Sequence, residues 1–378
     1  MINRLEQINQ VGQSLWYDNI ERTLLRDGTL AGMVERGEIR GITSNPSIFN
    51  KAISQSSEYD QDIKSLTAEG LSREKAFERL AVQDIQAAAD LFGPLYQETD
   101  GADGYVSLEV DPFLANRTEE TIQEAKKLWQ LVDRSNLMVK IPATKEGLPA
   151  ITETIAEGIN VNITLIFGLG RYQKVIDAYL AGLEKRLAGG KSISTIASVA
   201  SFFISRIDTK VDQRLESILA ESSLENQGKI KDQFGQAALA SGKLAYEIYL
   251  KNFNHSAQRY QVVAAQGAKP QRALWASTST KNPEYPDTYY VDNLVGPGTV
   301  NTLPPKTLQA FLDHGKAELS IDQGLDASRK TFKELAELGI DMKQVTDELE
   351  EEGVKAFADS YSSLLLSLEK RMEEYKGK

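Results

Sequence analysis

Short apolar segments alternate with longer segments of helical periodicity along most of this chain. Eight of the short segments have the composition of β-strands; they cover residues 14–18, 39–43, 105–110, 136–144, 160–167, 195–200, 272–277 and 288–294, the last with a turn-rich sequel to residue 299. The segments between them carry apolar residues three and four positions apart, which is typical of amphipathic helices. Eight strands alternating with helices indicate an α/β fold, and we predict a (β/α)8 TIM barrel with additional helices.

The pattern after residue 304 is helical and ends in an apolar stripe. Its members recur at helical spacing and are Val354, Phe357, Tyr361, Leu364, Leu365, Leu368 and Met372. Core packing explains this stripe without any function. The chain has no internal repeat, low-complexity tract or flexible linker that would separate independent domains. We therefore predict one domain over residues 1–378, with the barrel at about 12–314 and a C-terminal helical extension at about 315–378.

Composition narrows the functional class. The 378 residues carry a formal net charge of −11, which argues against non-specific nucleic-acid binding but allows a local basic pocket for a small anion. Cysteine is absent, which excludes disulfides and thiolate sites, and two distant histidines, His255 and His314, argue against a histidine-rich metal site. The first twenty residues lack an apolar core and no apolar run is long enough to span a bilayer, so we expect a cytoplasmic protein without a membrane segment.

One lysine interrupts the most apolar strand. In residues 136–144, NLMVKIPAT, side chains alternate, so that Met138 and Lys140 face one way while Val139 and Ile141 face the other. If Lys140 points into a barrel, desolvation is expected to lower its pKa, and a neutral amine can attack a ketone carbonyl. The same pattern also fits a lysine whose stem follows apolar surface and whose ammonium reaches water.

Further polar residues fall at or near the predicted carboxyl ends of strands one to five, where barrel enzymes build their sites; they are Asp18, Asn45, Glu109, Asn162 and Thr164. In a set of one lysine and two carboxylates, the lysine can act as nucleophile and the carboxylates as proton carriers. Such a set can also be a structural ion network. Arg206 and Lys281, beyond strands six and seven, are candidates for holding a phosphate. Usable nucleotide-binding motifs are absent, since Gly190-Lys191-Ser192 lacks the rest of a phosphate loop, so we expect no cofactor and no metal.

Five motifs together resemble the transaldolases of the pentose phosphate pathway. They are GITSNPSIF around Asn45, VSLEVDP around Glu109, LMVKIPAT around Lys140, GINVNITLIFG around Asn162 and Thr164, and STSTKNPEYPDT around Lys281. The resemblance covers nearly the whole chain, and the length of the sequence is similar to the longer type of transaldolase. It implies a barrel whose Schiff-base lysine is Lys140, and transfer of a dihydroxyacetone unit from a ketose phosphate to an aldose phosphate.

The same resemblance implies roles for individual residues. Asp18, Glu109 and Thr164 would take part in proton transfer. The residues implied to contact substrate are Asn45, Asn162, Ser201, Phe203, Arg206, Ser279 and Lys281. Of these, Arg206, Ser279 and Lys281 would hold the phosphate; many shorter transaldolases carry arginine at the position of Lys281, and a lysine offers a point charge where arginine offers a fork.

Two other functions remain open at this point. A class I aldolase would release dihydroxyacetone to water, and the dependence of ketose cleavage on an acceptor aldehyde separates it from a transaldolase. A catalytically inactive barrel that binds sugar phosphates is the second alternative, against which the set of Asp18, Glu109 and Lys140 argues. The sequence leaves open the preferred sugars and the oligomeric state, including a homo-oligomer.

Overall fold

Eight parallel strands close into a barrel in their order along the chain. The computed structural model describes residues 4–376. Its strands are β1 Gln13–Tyr17, β2 Gly41–Ile42, β3 Tyr105–Glu109, β4 Leu137–Pro142, β5 Val161–Ile166, β6 Ser198–Phe203, β7 Arg272–Ala276 and β8 Thr299–Leu303. Each strand pairs with the next one in sequence, and β8 pairs with β1. The predicted (β/α)8 barrel is confirmed.

Helices surround the barrel and fill the connections. They are α1 Arg4–Val11, α2 Arg22–Arg26, α3 Thr29–Glu35, α4 Pro46–Gln55, α5 Asp60–Ala68, α6 Arg73–Glu98, α7 Thr118–Val132, α8 Gly147–Glu157, α9 Leu169–Ala188, α10 Ser205–Glu221, α11 Leu224–Lys231, α12 Ala237–Phe253, α13 Gln258–Ala264, α14 Tyr289–Asn293, α15 Pro305–His314, α16 Leu325–Glu337 and α17 Met342–Glu373. The local sequence determines where α4 begins. The Asn45 side chain accepts a hydrogen bond from the backbone N–H of Ile48 and so starts α4, with Pro46 in its first turn. No described helix is long and apolar enough to cross a membrane.

Two of the predicted strands are displaced along the chain by three residues or more. The prediction that residues 288–294 form the eighth strand was wrong. This segment contains the short helix α14, and β8 begins at Thr299. Its tyrosines and valine have high strand propensity, but Tyr290 is held by a hydrogen bond from its hydroxyl to the buried carboxylate of Asp208, and this tertiary contact outweighs local preference. Strand β6 lies three residues later than predicted and therefore includes Ser201 and Phe203.

A partly buried ion network lies at the N-terminal end of the barrel. Asp103 accepts hydrogen bonds from Ser14 Oγ at 2.9 Å and Arg40 Nε at 2.6 Å, and Arg272 Nη1 lies 3.1 Å from its other oxygen. Beside it, Gly41 lets β2 pass the indole of Trp16, since a Cβ at this position would lie 2.6 Å from the ring. A cavity of about 640 Å³ also lies at this end, but Arg40, Asp103 and Arg272 in its lining are paired with one another.

The C-terminal helix α17 lies against the barrel instead of extending away from it. It packs on α4, α6, α10 and β5. The predicted apolar stripe faces this interface, and all its members are buried except Val354, which is half-buried. The helical extension predicted from the sequence is therefore present, and it is part of the packed structure around the carboxyl ends of the strands.

Candidate active site

Lys140 lies on β4 between two polar neighbours on adjacent strands. The strand register places Glu109 of β3 beside Lys140 on one side and Asn162 of β5 on the other. The ammonium donates a hydrogen bond to the carbonyl oxygen of Ser44 at 2.9 Å, and its nitrogen lies 3.5 Å from Glu109 Oε2. Lys140 is only 5 % exposed. The amine is therefore held inside the barrel, as the alternation along the strand predicted, and does not reach bulk water.

Glu109 is buried without hydrogen bonds that would compensate for its loss of hydration. Its side chain is 4 % exposed, and within the described chain neither carboxylate oxygen has a hydrogen-bond partner. Burial raises the pKa of Glu109 to about 7, although the positive charge of Lys140 acts in the opposite direction. A carboxyl group with this pKa can both hold and release a proton near neutral pH.

Asp18 follows β1 on another side of the barrel. Its Oδ1 accepts a hydrogen bond of 2.7 Å from the hydroxyl of Thr43, which in turn lies 2.6 Å from Thr302 Oγ1. Burial raises the pKa of Asp18, while the Thr43 hydrogen bond and the charge of Lys140 lower it. The two carboxylates thus approach Lys140 from separate strands, and the Asp18 carboxylate has a fixed orientation.

The carboxyl end of β5 is irregular. Leu165 has a positive φ of 60°, and the register with β6 shifts between Ile163 and Ile166. A β-bulge of this kind redirects the side chains at the end of a strand. The hydroxyl of Thr164 is buried here without a hydrogen-bond partner among the described residues, so it is free to bind a substrate atom or water.

The side-chain amide of Asn162 is hydrogen-bonded to other residues of the protein. Its Nδ2 donates to Ser107 Oγ at 3.0 Å, and its Oδ1 accepts a hydrogen bond of 2.7 Å from Ser201 Oγ. Asn162 and Ser107 are fully buried. The amide therefore fixes the position of Ser201, whose side chain lies closer to the opening of the barrel.

A cavity of about 410 Å³ opens at the carboxyl ends of the strands. The predicted site residues that line it are Asp18, Asn45, Lys140, Thr164, Ser201, Phe203, Arg206, Ser279 and Lys281. Two predicted residues are outside this lining: Asn162, for the reason just given, and Glu109, which instead borders a smaller neighbouring cavity of about 180 Å³. Lys140 therefore borders the larger cavity, whereas Glu109, 3.5 Å from Lys140 Nζ, borders the smaller one.

Arg206 and Lys281, the two predicted phosphate-binding cations, both line the larger cavity. Arg206 is in the first turn of α10, with its guanidinium carbon 5.5 Å from the centre of the Phe203 ring, and burial lowers its pKa. Lys281 Nζ donates a hydrogen bond of 2.9 Å to Ser279 Oγ. In the described part of the chain, neither Arg206 nor Lys281 forms a salt bridge. This arrangement can bind an anionic group on a ligand whose other end reaches Lys140.

Several residues of this site were not predicted from the sequence, and three of them lie next to Lys140 or Asp18. Ser44 binds Lys140 through its carbonyl oxygen and Thr43 binds Asp18, and both belong to the GITSNPSIF motif that was assigned only to Asn45. The third is Phe357 of α17, which also lines the cavity. For Ser44 and Thr43 the signal was their place next to Asn45, whereas no local signal distinguished Phe357 from the other members of its apolar stripe.

Comparisons with known proteins bear on this geometry. The family model described as Transaldolase/Fructose-6-phosphate aldolase matches residues 15–368. This chain belongs to that family. Among curated proteins named transaldolase, those of Thermobifida fusca, Frankia alni and Mycobacterium bovis are 49 %, 47 % and 46 % identical to it. The alignments cover 96 %, 97 % and 96 % of this chain and 96 %, 96 % and 95 % of those proteins.

The family membership confirms the resemblance drawn from the five motifs. The matched region begins within β1 and ends near the end of α17, so it contains every residue of the candidate site. The transaldolase/fructose-6-phosphate aldolase family thus provides the frame within which the roles of these residues are proposed.

Proposed function

We propose that this protein is a transaldolase. It would transfer a dihydroxyacetone unit from a ketose phosphate, sedoheptulose 7-phosphate or fructose 6-phosphate, to an aldose phosphate, glyceraldehyde 3-phosphate or erythrose 4-phosphate. The observation that carries the proposal is the pairing of Lys140 with Glu109 at the base of a cavity whose outer part holds Arg206 and Lys281. A buried amine, a nearby proton carrier and a distant anion site match the two ends of a ketose phosphate.

The first step is imine formation at Lys140. The amine attacks the ketone carbon C2, and the resulting carbinolamine loses water to give a protonated imine. Loss of water needs a proton on the departing hydroxyl, and the pKa of about 7 allows Glu109 to supply it. Glu109 does not line the larger cavity, so we assign the contact to the unpartnered Thr164 hydroxyl and a water between them.

The second step is cleavage of the C3–C4 bond. Its electrons flow into the protonated imine, and the C4 hydroxyl loses its proton as C4 becomes an aldehyde. Asp18 is the base for this proton, because it lines the same cavity from a different strand than Glu109 and is oriented by Thr43. The three-carbon unit stays on Lys140 until an acceptor aldehyde takes it by the reverse of these steps.

The cationic part of the cavity would hold the phosphate. Arg206 has no carboxylate partner in the described chain and can present its fork to phosphate oxygens, with Ser279 and Lys281 beside it. Asn45 and Ser201 would then contact the hydroxyls between phosphate and imine, and Phe203 would shape the wall. Asn162 would act on substrate through Ser201, to which it is hydrogen-bonded. We also propose that residues 1–378 form one domain, which the packing of α17 on the barrel supports.

Borohydride trapping tests the proposal. Incubation with fructose 6-phosphate and borohydride should attach a three-carbon unit to Lys140, located by mass spectrometry of the peptides. Lys140→Arg should fold normally but lose the label, because a guanidinium stays protonated and cannot form an imine. Lys127→Arg is the matched control, since Lys127 also lies beside a carboxylate, 3.1 Å from Glu124 Oε2, and should keep the label on Lys140. A label on another lysine would refute the assignment.

The family description also includes fructose-6-phosphate aldolase, which makes it the second candidate function. An aldolase releases dihydroxyacetone to water and needs no acceptor. Cleavage of fructose 6-phosphate should therefore be measured with and without erythrose 4-phosphate. A rate that depends on the acceptor supports the transaldolase, and equal rates support the aldolase.

A further inference from the structure

One wall of the catalytic cavity comes from the last helix of the chain. The centre of the Phe357 ring lies 5.7 Å from Lys140 Nζ, and this side chain lines the same cavity. Phe357 is 8 % exposed and Lys140 is 5 % exposed. The amine therefore has an aromatic ring near it, in addition to the Ser44 carbonyl and Glu109.

Contacts one turn before and one turn after Phe357 fix this position. At Gly353 a Cβ would lie 3.0 Å from Leu165 Cδ2 and 3.4 Å from the Phe167 ring, so the helix approaches the end of β5 as closely as a glycine allows. At Ser360 the hydroxyl accepts a hydrogen bond of 2.9 Å from Ser47 Oγ. Residues three and four positions apart share one face of a helix, and this face of α17 points towards the cavity.

Ion pairs hold the helix on both sides of these contacts. Before Phe357, Arg171 forms two hydrogen bonds of 2.9 and 3.0 Å with the carboxylate of Glu350. After it, Arg73 lies 2.7 Å from Glu369, and Arg371 pairs with Asp60. The ring is thus placed by an anchored element and not by a loop, which makes it suited to a fixed role in the site.

We propose that Phe357 determines the fate of the three-carbon intermediate by keeping water away from the carbon atoms attached to Lys140. This inference rests on the proposed function. After C3–C4 cleavage the unit on Lys140 is an enamine, and transfer needs its C3 to attack an acceptor aldehyde. Release to water requires two other events. C3 takes up a proton, which regenerates the protonated imine. A water molecule then adds to C2 and gives one proton to a base; the nitrogen takes up a proton, the new C2 hydroxyl loses its proton, and the C2–N bond breaks to give free dihydroxyacetone and the Lys140 amine.

Both events of release need water or a water-derived proton beside the enamine. The ring of Phe357 fills the space next to Nζ, where C2 is attached, with apolar surface that offers no hydrogen bond to a water molecule. An acceptor sugar phosphate can still enter past Arg206 and Lys281, which lie elsewhere in the cavity lining. Phe357 therefore favours transfer over hydrolysis by excluding water.

The test compares the ratio of dihydroxyacetone release to transfer in variants of the full-length protein. Phe357→Ala opens room for water and should raise this ratio about tenfold, which corresponds to about 1.4 kcal/mol. Phe357→Leu keeps an apolar cover and should stay near the wild-type ratio. Leu364→Ala is the structural control, because Leu364 is fully buried on the same helix and does not line the cavity; it should lower stability but leave the ratio unchanged. Both rates are normalised to the amount of borohydride-trapped Lys140.

An unchanged ratio in Phe357→Ala would overturn the inference while leaving the proposed function intact, provided that the wild type is trapped and transfers. An equal rise in Leu364→Ala would also overturn it, because general loosening of α17 would then explain the effect. Absence of trapping in the wild type is a separate result, which refutes the proposed function and with it the intermediate that Phe357 is inferred to protect.

Discussion

Replacing Glu109 by glutamine removes a titratable group that the fold holds in an unfavourable environment. The carboxyl has an ordinary pKa of 4.5, and burial raises it to about 7 in the folded protein. In the unfolded chain the group returns to its ordinary value. Between these two pH values the folded protein keeps a proton that the unfolded chain has released, so the free energy of unfolding falls as pH rises.

The size of this effect follows from the interval between 4.5 and 7. At about 1.4 kcal/mol for each pH unit, the wild type should lose about 3 kcal/mol of stability relative to Glu109→Gln on going from pH 4 to pH 8. Asp208, another buried carboxyl with a pKa raised to about 7, is present in both proteins, so its own titration cancels in the comparison. Glutamine has nearly the same volume, which limits changes in packing.

Urea denaturation followed by circular dichroism at several pH values between 4 and 8 measures the difference. The free energy of unfolding of Glu109→Gln relative to the wild type should increase steadily from about pH 4.5 and reach its largest value above pH 7. Glu124→Gln, which changes a more exposed carboxylate paired with Lys127 to an amide, serves as the control for the loss of one carboxylate. A stability difference between Glu109→Gln and wild type that does not change with pH would refute the reasoning. The same variant should also slow borohydride trapping, since its amide cannot supply the proton for loss of water.

Two further predictions concern binding and bond cleavage. Arg206→Ala should raise KM for fructose 6-phosphate about tenfold to a hundredfold, because a charge-assisted contact is worth roughly 1.5 to 3 kcal/mol, while transfer from unphosphorylated dihydroxyacetone should barely change. Steady-state kinetics on both donors measures this, and equal losses would make Arg206 structural. Asp18→Asn should still form the imine but stall before C3–C4 cleavage, so borohydride should trap a six-carbon adduct on the Lys140 peptide. A three-carbon adduct formed at the wild-type rate would remove Asp18 from the mechanism.

The position of Lys140 and its carboxylates could be predicted because it depends on short-range rules. Side chains alternate along a strand, and parallel strands of a barrel end on one face, so residues near those ends converge. The pairing of Glu109 with Lys140 in adjacent strands follows from their order in the chain. The roles of these residues and the cytoplasmic location stay predictions, and the preferred sugars and the oligomeric state stay open.

Features that depend on distant contacts could not be predicted in this way. The composition of residues 288–294 favours a strand, whereas the structure shows a helix there in which the Tyr290 hydroxyl donates a hydrogen bond to the distant Asp208. Asn162 was assigned to substrate, but whether its amide faces the cavity or its neighbours is decided by Ser107 and Ser201 on two other strands. Phe357 belongs to a stripe whose members are equivalent by spacing, and only the packing of α17 places one of them above Lys140.

The two ends of the barrel differ in how freely they could be redesigned. At the N-terminal end, Asp103 is matched by Arg40, Arg272 and Ser14, so an exchange of one partner would have to be accompanied by changes in the others. At the carboxyl end, Glu109 pairs with Lys140, but within the described chain neither Glu109 nor Thr164 has a side-chain hydrogen bond to lose. An engineer can therefore vary chemistry at the carboxyl end with little effect on the network at the N-terminal end. Added stability could in turn be sought in residues around Asp103 while the catalytic cavity stays as it is.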